Sequence, residues 1–301
     1  MKNRRLLGTL LLLLTALIWG TAFAFQRAGM DQIEPFSFTA ARMALSAVCI
    51  GTLALLRTRA ARRLSPTAPR ALTREELLGG LCCGGFLAAA TLFQQAGIVT
   101  TTAGKAGFIT AMYMLLVPVL GFVLFRRKNG ALVRAAVALG VAGMYLLCMT
   151  ERFTLARGDA LVCVCALLFS GHILCCDHFA RRGDPIRISA VQFCAAALVS
   201  LAAAALCEQP SWAKICSAAV PILYCGILSG GVGYTLQMTA QRFTDPTIAS
   251  LLMSLESVFA VLAGALLLGE RMSAREGFGC ALMFAAIILV QLPQKGREQN
   301  T

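Results

Sequence analysis

The 301-residue chain is 58% hydrophobic and only 14% charged, against about 25% charged for a soluble domain, which excludes an ordinary water-soluble fold. Its net charge of +13 would point to nucleic acid in a soluble protein. In so apolar a chain it is better explained by Lys and Arg collecting in cytoplasmic loops, and no nucleic-acid partner is expected.

Ten apolar stretches follow one another, at 6–25, 38–56, 77–96, 103–125, 131–150, 160–176, 188–206, 219–239, 247–268 and 277–292. A helix crosses a bilayer with about 20 apolar residues, about 17–25 being usual. The expected fold is an all-α membrane protein of ten transmembrane helices, with no room left for a separate soluble domain. The first stretch, in MKNRRLLGTLLLLLTALIWGTAFA, also has the layout of a secretory signal peptide. Its apolar run exceeds the usual 7–15 or so residues, and Trp19 would crowd a cleavage site, so it is read as a retained first helix. With the N-terminus inside, nineteen Lys and Arg fall in inside segments and six in outside ones. Both termini are therefore expected in the cytoplasm. Arg42 and Lys105 are the two basic residues left inside spans.

A charge at the bilayer centre costs at least about 2.5–3.5 kcal/mol, so polar residues within spans are candidate site residues. In chain order, Arg42 stands near the outer end of the second helix, where a guanidinium could grip a substrate carboxylate or phosphate or hold an outer gate. The third helix offers Gln94 and Gln95. The fourth carries Lys105 near its outer start, where a lysine could also snorkel to the interface, and Tyr113. His172 is deep in the sixth, as a titrating group or as a histidine bonded to a backbone carbonyl. Tyr234, Gln237 and Gln241 of the eighth share one helical face, beside a glycine cluster at 226–233 that serves close packing or a flexing point. Glu256, in the ninth, is the only carboxylate deep in a span, suited to a cationic or amine group, to a proton, or to a structural ion pair. Lys105 lies seven residues before Met112, the repeat partner of Glu256, so Lys105 and Glu256 are expected to view one central space.

Eleven of the thirteen cysteines fall in spans, where the thiol behaves as a small apolar group. No zinc spacing appears, the cluster around Cys163–His178 included, and no metal or cofactor is expected. Cys207 and Cys216 fall near the outer face, either disulfide-bonded or free.

The chain also repeats. Residues 100–127 and 244–271 share one layout at an offset of 144, with four of 28 positions identical, and Trp19, Pro35 and Arg42 pair with Phe169, Pro185 and Gln192 at an offset of 150. Two halves, 1–150 and 151–301, of five helices each must enter the membrane with opposite orientation, the inverted repeat of many secondary transporters.

LIWGTAFAF, EPFSFTAARMALSA and KAGFITAMYMLLVPVLGFVLF in the first half, with GDALVCVCALLFSGHIL and IASLLMSLESVFAVLAGALLLGER in the second, resemble the drug/metabolite transporter superfamily, specifically proteins with two EamA-type domains. The resemblance spans essentially the whole chain; Ser257 departs from it, since ninth helices of that family often carry proline, whereas the fourth keeps Pro118. It implies a cavity lined by helices one to four and six to nine, with Trp19, Gln94, Tyr113, Tyr234 and Gln237 as lining residues. It also implies a cell-membrane secondary transporter of a small organic metabolite, an amino acid or related compound, with export favoured. Uptake of a vitamin-like metabolite, a structural or lipid-scrambling protein, and a homodimer stay open. No phosphate-binding G-x-x-x-x-G-K-[ST] loop is present, so a gradient must supply the energy. Two histidines and one deep carboxylate are too few for an enzyme.

Overall fold

The computed structural model describes residues 2–64, 71–101, 103–127, 129–148, 157–268 and 273–291. Among them every regular element is helical, as expected where no water is available to pair with backbone groups. In chain order these are α1 Lys2–Gly29, α2 Pro35–Leu64, α3 Arg74–Ile98, α4 Ala103–Ala111, α5 Tyr113–Phe125, α6 Ala131–Cys148, α7 Arg157–Ala180 and α8 Pro185–Cys207. There follow α9 Trp212–Ser217, α10 Ala219–Leu223, a π-helical stretch Tyr224–Gly233, α11 Tyr234–Ala240, α12 Pro246–Met253, α13 Glu256–Leu268 and α14 Ala274–Gln291.

Eight apolar segments are long enough to cross a membrane, and Ala131–Leu146 and Gly277–Leu289 are shorter apolar helices. The ten apolar stretches of the sequence thus all appear, but three are not continuous α-helices. The fourth tightens at Met112 and the ninth at Ser254–Leu255, where right-handed backbone and i→i+3 hydrogen bonds carry the chain on, and the eighth widens into the π-helical stretch. The helix starts are set locally. Asp184 and Asp245 each cap the following helix through a carboxylate oxygen, with proline in the first turn. Thr73 and Glu76 form a reciprocal capping box ahead of α3.

The helix pairing has a regularity. α1 packs on α13, and α7 on α4 and α5; α2 packs on the π-helical stretch, and α3 on α8. α3 also packs on α7, and α1 on α11, while α2 meets α8 and α6 meets α14. Exchanging the five apolar segments of 2–148 with those of 157–291, in order, leaves this pattern unchanged. The tightened turns of the fourth and ninth segments also fall within two residues of one another at the 144 offset.

Where helices cross tightly, glycine makes the approach. A Cβ at Gly20 would stand 2.5 Å from the Glu256 carbonyl oxygen, and one at Gly84 would stand 2.7 Å from both Gln192 O and Ala195 Cβ. Leu10, Leu14, Leu17, Val123, Leu198 and Ile288 are exposed on the outside of the bundle, the surface a bilayer covers.

Polar contacts gather at both ends of the bundle. At the N-terminal rim, Glu76 pairs with Arg187 at 3.1 Å, and Asp177 with Arg127 and Arg181 at 2.7 and 2.9 Å. At the opposite rim, Glu208 accepts hydrogen bonds from Phe36 N, Ser37 N and Ser37 Oγ at 2.7–2.9 Å, tying α8 to the start of α2. There too, Glu34 pairs with Lys214, whose ammonium holds the Glu34 carboxyl below the usual carboxylate range. Cys207 and Cys216 are both free thiols, so of the two alternatives the disulfide is not formed.

The crossing of α3 and α8 yields a paired expectation. Gly84→Val should destabilise the purified protein by about 1–3 kcal/mol through overpacking. Gly85→Ala, where a Cβ meets nothing within 4 Å, should be neutral or slightly stabilising. Thermal unfolding in one detergent reads both, and equal shifts would contradict this crossing.

Candidate functional site

Inside the bundle, seven apolar segments converge on one narrow cavity of about 30 Å3. α1 supplies Trp19, Phe23 and Gln26, α2 Arg42, α3 Gln94, α4 Thr110 and α5 Tyr113. From the second half, α7 supplies Phe169, His172 and Ile173, the π-helical stretch Ser229, α11 Tyr234 and Gln237, and α13 Glu256. Among the described residues none of α6, α8 and α14 lines it; the seventh apolar segment, expected among the lining helices, instead stands behind it, with Gln192 against His172 and Phe193 against Tyr234.

Tyr113 and Glu256 each follow a tightened turn of their apolar segment. The Tyr113 hydroxyl donates to Glu256 Oε1 at 2.9 Å, so the bond joins the fourth apolar segment to the ninth. Glu256 is 2% exposed.

Arg42 is 4% exposed, its Nε and Nη2 have no hydrogen-bond partner, and no carboxylate pairs with it among the described residues. One contact steadies the guanidinium, the Phe38 ring at 5.8 Å. Gln237 has neither amide atom bonded, and Gln26 Oε1 is also without a partner. Buried polar groups are nearly always satisfied, and here several unpaired donors and acceptors border one space.

Several of the other polar lining groups are partnered. Gln94 Nε2 donates to Thr110 Oγ1 at 3.1 Å, and His172 Nε2 lies 3.0 Å from Gln192 Oε1. Trp19 Nε1 donates to Ser229 O at 3.1 Å, and that carbonyl is presented by the π-helical stretch, whose wider turns re-aim backbone oxygens. Thr15 and Ser46 hydroxyls reach Gly233 O and Gly226 O of the same stretch. Tyr234 is boxed by rings, with centroids 4.6 Å from Trp19 and 5.7 Å from both His172 and Phe193.

Of the residues singled out in the sequence, Trp19, Arg42, Gln94, Tyr113, His172, Tyr234, Gln237 and Glu256 all line this cavity. The side chain of Lys105 lies outside the described residues. Gln95 turns away, toward Gln26 O and Met30 Sδ, and Gln241 bonds Ile173 O at 3.0 Å. Phe23, Gln26, Thr110, Phe169 and Ser229 were not anticipated. For two of these groups a signal existed: Trp19, Phe23 and Gln26 recur at i, i+4 and i+7, and Phe169 and His172 at i and i+3, each one helical face. Ser229 could not be found that way, because a π-helical turn shifts the period.

The chain matches the EamA-like transporter family over residues 6–149 and 156–292. It belongs to that family. An uncharacterized transporter of Archaeoglobus fulgidus is 28% identical over 289 residues, covering 96% of this chain and 87% of that one. A chloroplastic WAT1-related protein of Arabidopsis thaliana is 24% identical, over 92% of this chain and 67% of its own length. A solved crystal structure superposes with a TM-score of 0.77 at 19% identity, over 95% of this chain and 96% of the other, a likeness of fold. The protein is thus a multi-pass membrane transporter of the EamA type and not an enzyme. Among the described residues no group of three or more His, Cys, Asp or Glu is arranged to hold a metal ion.

The Tyr113–Glu256 bond can be weighed by a double-mutant cycle. Tyr113→Phe should cost about 1–3 kcal/mol, because it strands a buried carboxylate, and far less once Glu256 is already Gln. Thermal unfolding of the four proteins in nanodiscs measures the coupling. Additive effects would mean that the bond contributes nothing to the fold.

Proposed function

We propose that this EamA-type protein is a secondary transporter of small zwitterionic metabolites, an amino acid or related compound. It works by alternating access between two inverted five-helix repeats, 1–150 and 151–301, with both termini in the cytoplasm. The observation that carries the substrate reading is the disposition of charge. Arg42 and Glu256 both line the cavity, yet they do not pair with each other. Two opposite charges kept in an apolar interior for structural reasons would be expected to meet, since each alone costs several kcal/mol. A guest carrying both charges resolves this. Its carboxylate takes the open Nε and Nη2 edge of Arg42 as a bidentate pair, its ammonium takes Glu256, and its apolar portion lies against Trp19 and Tyr234. Gln237 and Gln26 have hydrogen bonds left to offer it.

Alternating access is supported by the interchangeable packing of the two sets of segments and by the π-helical stretch that borders the cavity, where irregular helix geometry is tolerated in a membrane. The cytoplasmic placement of the termini and the cell membrane as location rest on the basic-residue bias. Export is the direction the family resemblance suggests.

Counterflow in proteoliposomes with a mixture of labelled amino acids tests the reading. The expected result is saturable exchange, not competed by the methyl ester or by the deaminated acid of the preferred substrate. Arg42→Gln and Glu256→Gln should each lower it by about tenfold or more, the usual consequence of leaving one buried charge without its partner. Unimpaired exchange by both variants would overturn the site, and equal competition by the singly charged analogues would overturn the zwitterion.

A further inference from the structure

The two rims of the bundle are related by the repeat, yet they carry their charges in opposite order. At the offset of 150, Arg27 and Asp31 at the end of α1 correspond to Asp177 and Arg181 at the end of α7. Each pair is spaced i, i+4 and bonded within itself, the first at 3.3 Å and the second at 2.9 Å. Cation and anion are exchanged between the two pairs.

The consequences differ at the two ends. Asp177, with its side chain 3% exposed, accepts from Arg127 Nη1 at 2.7 Å through Oδ2, and from Arg181 Nε and Nη2 at 3.1 and 2.9 Å through Oδ1. Arg127 is delivered by the helix end before it. Arg126 adopts a left-handed conformation at φ 53°, and Arg127 N bonds back to Gly121 O at 3.1 Å, which turns the chain under α7. Arg181 Nη2 also reaches Thr244 O at 3.5 Å, in the connection between α11 and α12. One carboxylate thus ties together α5, α7 and that connection, beside an open cleft also lined by His178, Arg182 and Asp245.

At the other rim, the Arg27 and Asp31 side chains are 45% and 71% exposed, and the described residues offer them no third partner. The residue equivalent to Arg127 at the 144 offset is Arg271. By sequence, then, the arginine of Arg127 is kept in the second half while the acid of Asp177 is replaced by Arg27 in the first.

We propose that Asp177 with Arg127 and Arg181 is a latch that holds the N-terminal rim closed. We further propose that the exchanged charges deprive the opposite rim of an equivalent, so that the empty protein rests closed on the side of its N-terminus. This rests on the alternating-access reading, and it makes the halves unequal as gates although they are alike as scaffolds. The substrate is then what offsets the missing tie and draws the opposite rim shut.

Hydrogen–deuterium exchange of the purified full-length protein in nanodiscs, without substrate, tests it. Asp177→Asn should speed exchange of 121–127 and 241–247 by roughly tenfold, within the usual range of site-to-site coupling, with 27–37 unchanged or slower. The double variant Arg27→Asp with Asp31→Arg gives α1 the charge order of α7. It should slow exchange of 27–37 and speed that of 121–127. An unchanged 121–127 segment in Asp177→Asn, a uniform rise over the whole chain, or a double variant indistinguishable from wild type would each overturn the latch. Because the readout needs no substrate, those results would leave the transporter reading standing, which the counterflow assay decides separately.

Discussion

The arrangement depends most on the hydrogen bond between Tyr113 and Glu256. A carboxylate inside an apolar bundle is expensive, and what makes this one tolerable is its setting. It accepts a hydrogen bond from the Tyr113 hydroxyl, and each of the two residues follows a tightened turn of its own apolar segment. The carboxylate, its donor and the cavity are one feature, and Gly20 lets α1 come close enough to the Glu256 backbone to cover it.

Around that bond the two halves share a scaffold and differ in chemistry. The segments pack in an exchangeable pattern, but Arg42 of the first half faces the second with Gln192 as its counterpart, and Glu256 has Met112. A strictly duplicated site would hold like charges in pairs and repel itself. Divergence has placed one cation in one half and one anion in the other, and the cavity between them is polarised. The π-helical stretch adds a further asymmetry: it brings Ser229 O to Trp19 where the regular α3 offers its side chains alone.

Much of this was legible in the chain because the bilayer is a severe solvent. A polar side chain amid apolar residues must face protein, so Arg42, His172, Gln237 and Glu256 could be picked from the sequence as interior groups. Gln94 and Gln95 show where that reasoning stops. Both are buried and polar, yet one lines the cavity and the other bonds toward Met30, a difference of one helical step that only the positions of α1 and α4 resolve. Gln26 escaped because it stands at the end of its apolar stretch, where a polar residue costs little and draws no notice.

The sequence by itself determined the class of protein, the ten apolar segments, the repeat and the short set of residues that hydrocarbon would not accept. These follow from local quantities, namely the transfer cost of each side chain and the length of each run. Tertiary structure alone decided that the fourth and ninth segments tighten and the eighth widens, that Arg42 and Glu256 share a cavity without pairing, and that Asp177 joins three elements while among the described residues Arg27 pairs with Asp31 alone. Those outcomes depend on which helix faces which across more than a hundred residues of chain. No pattern within a single segment carries that information.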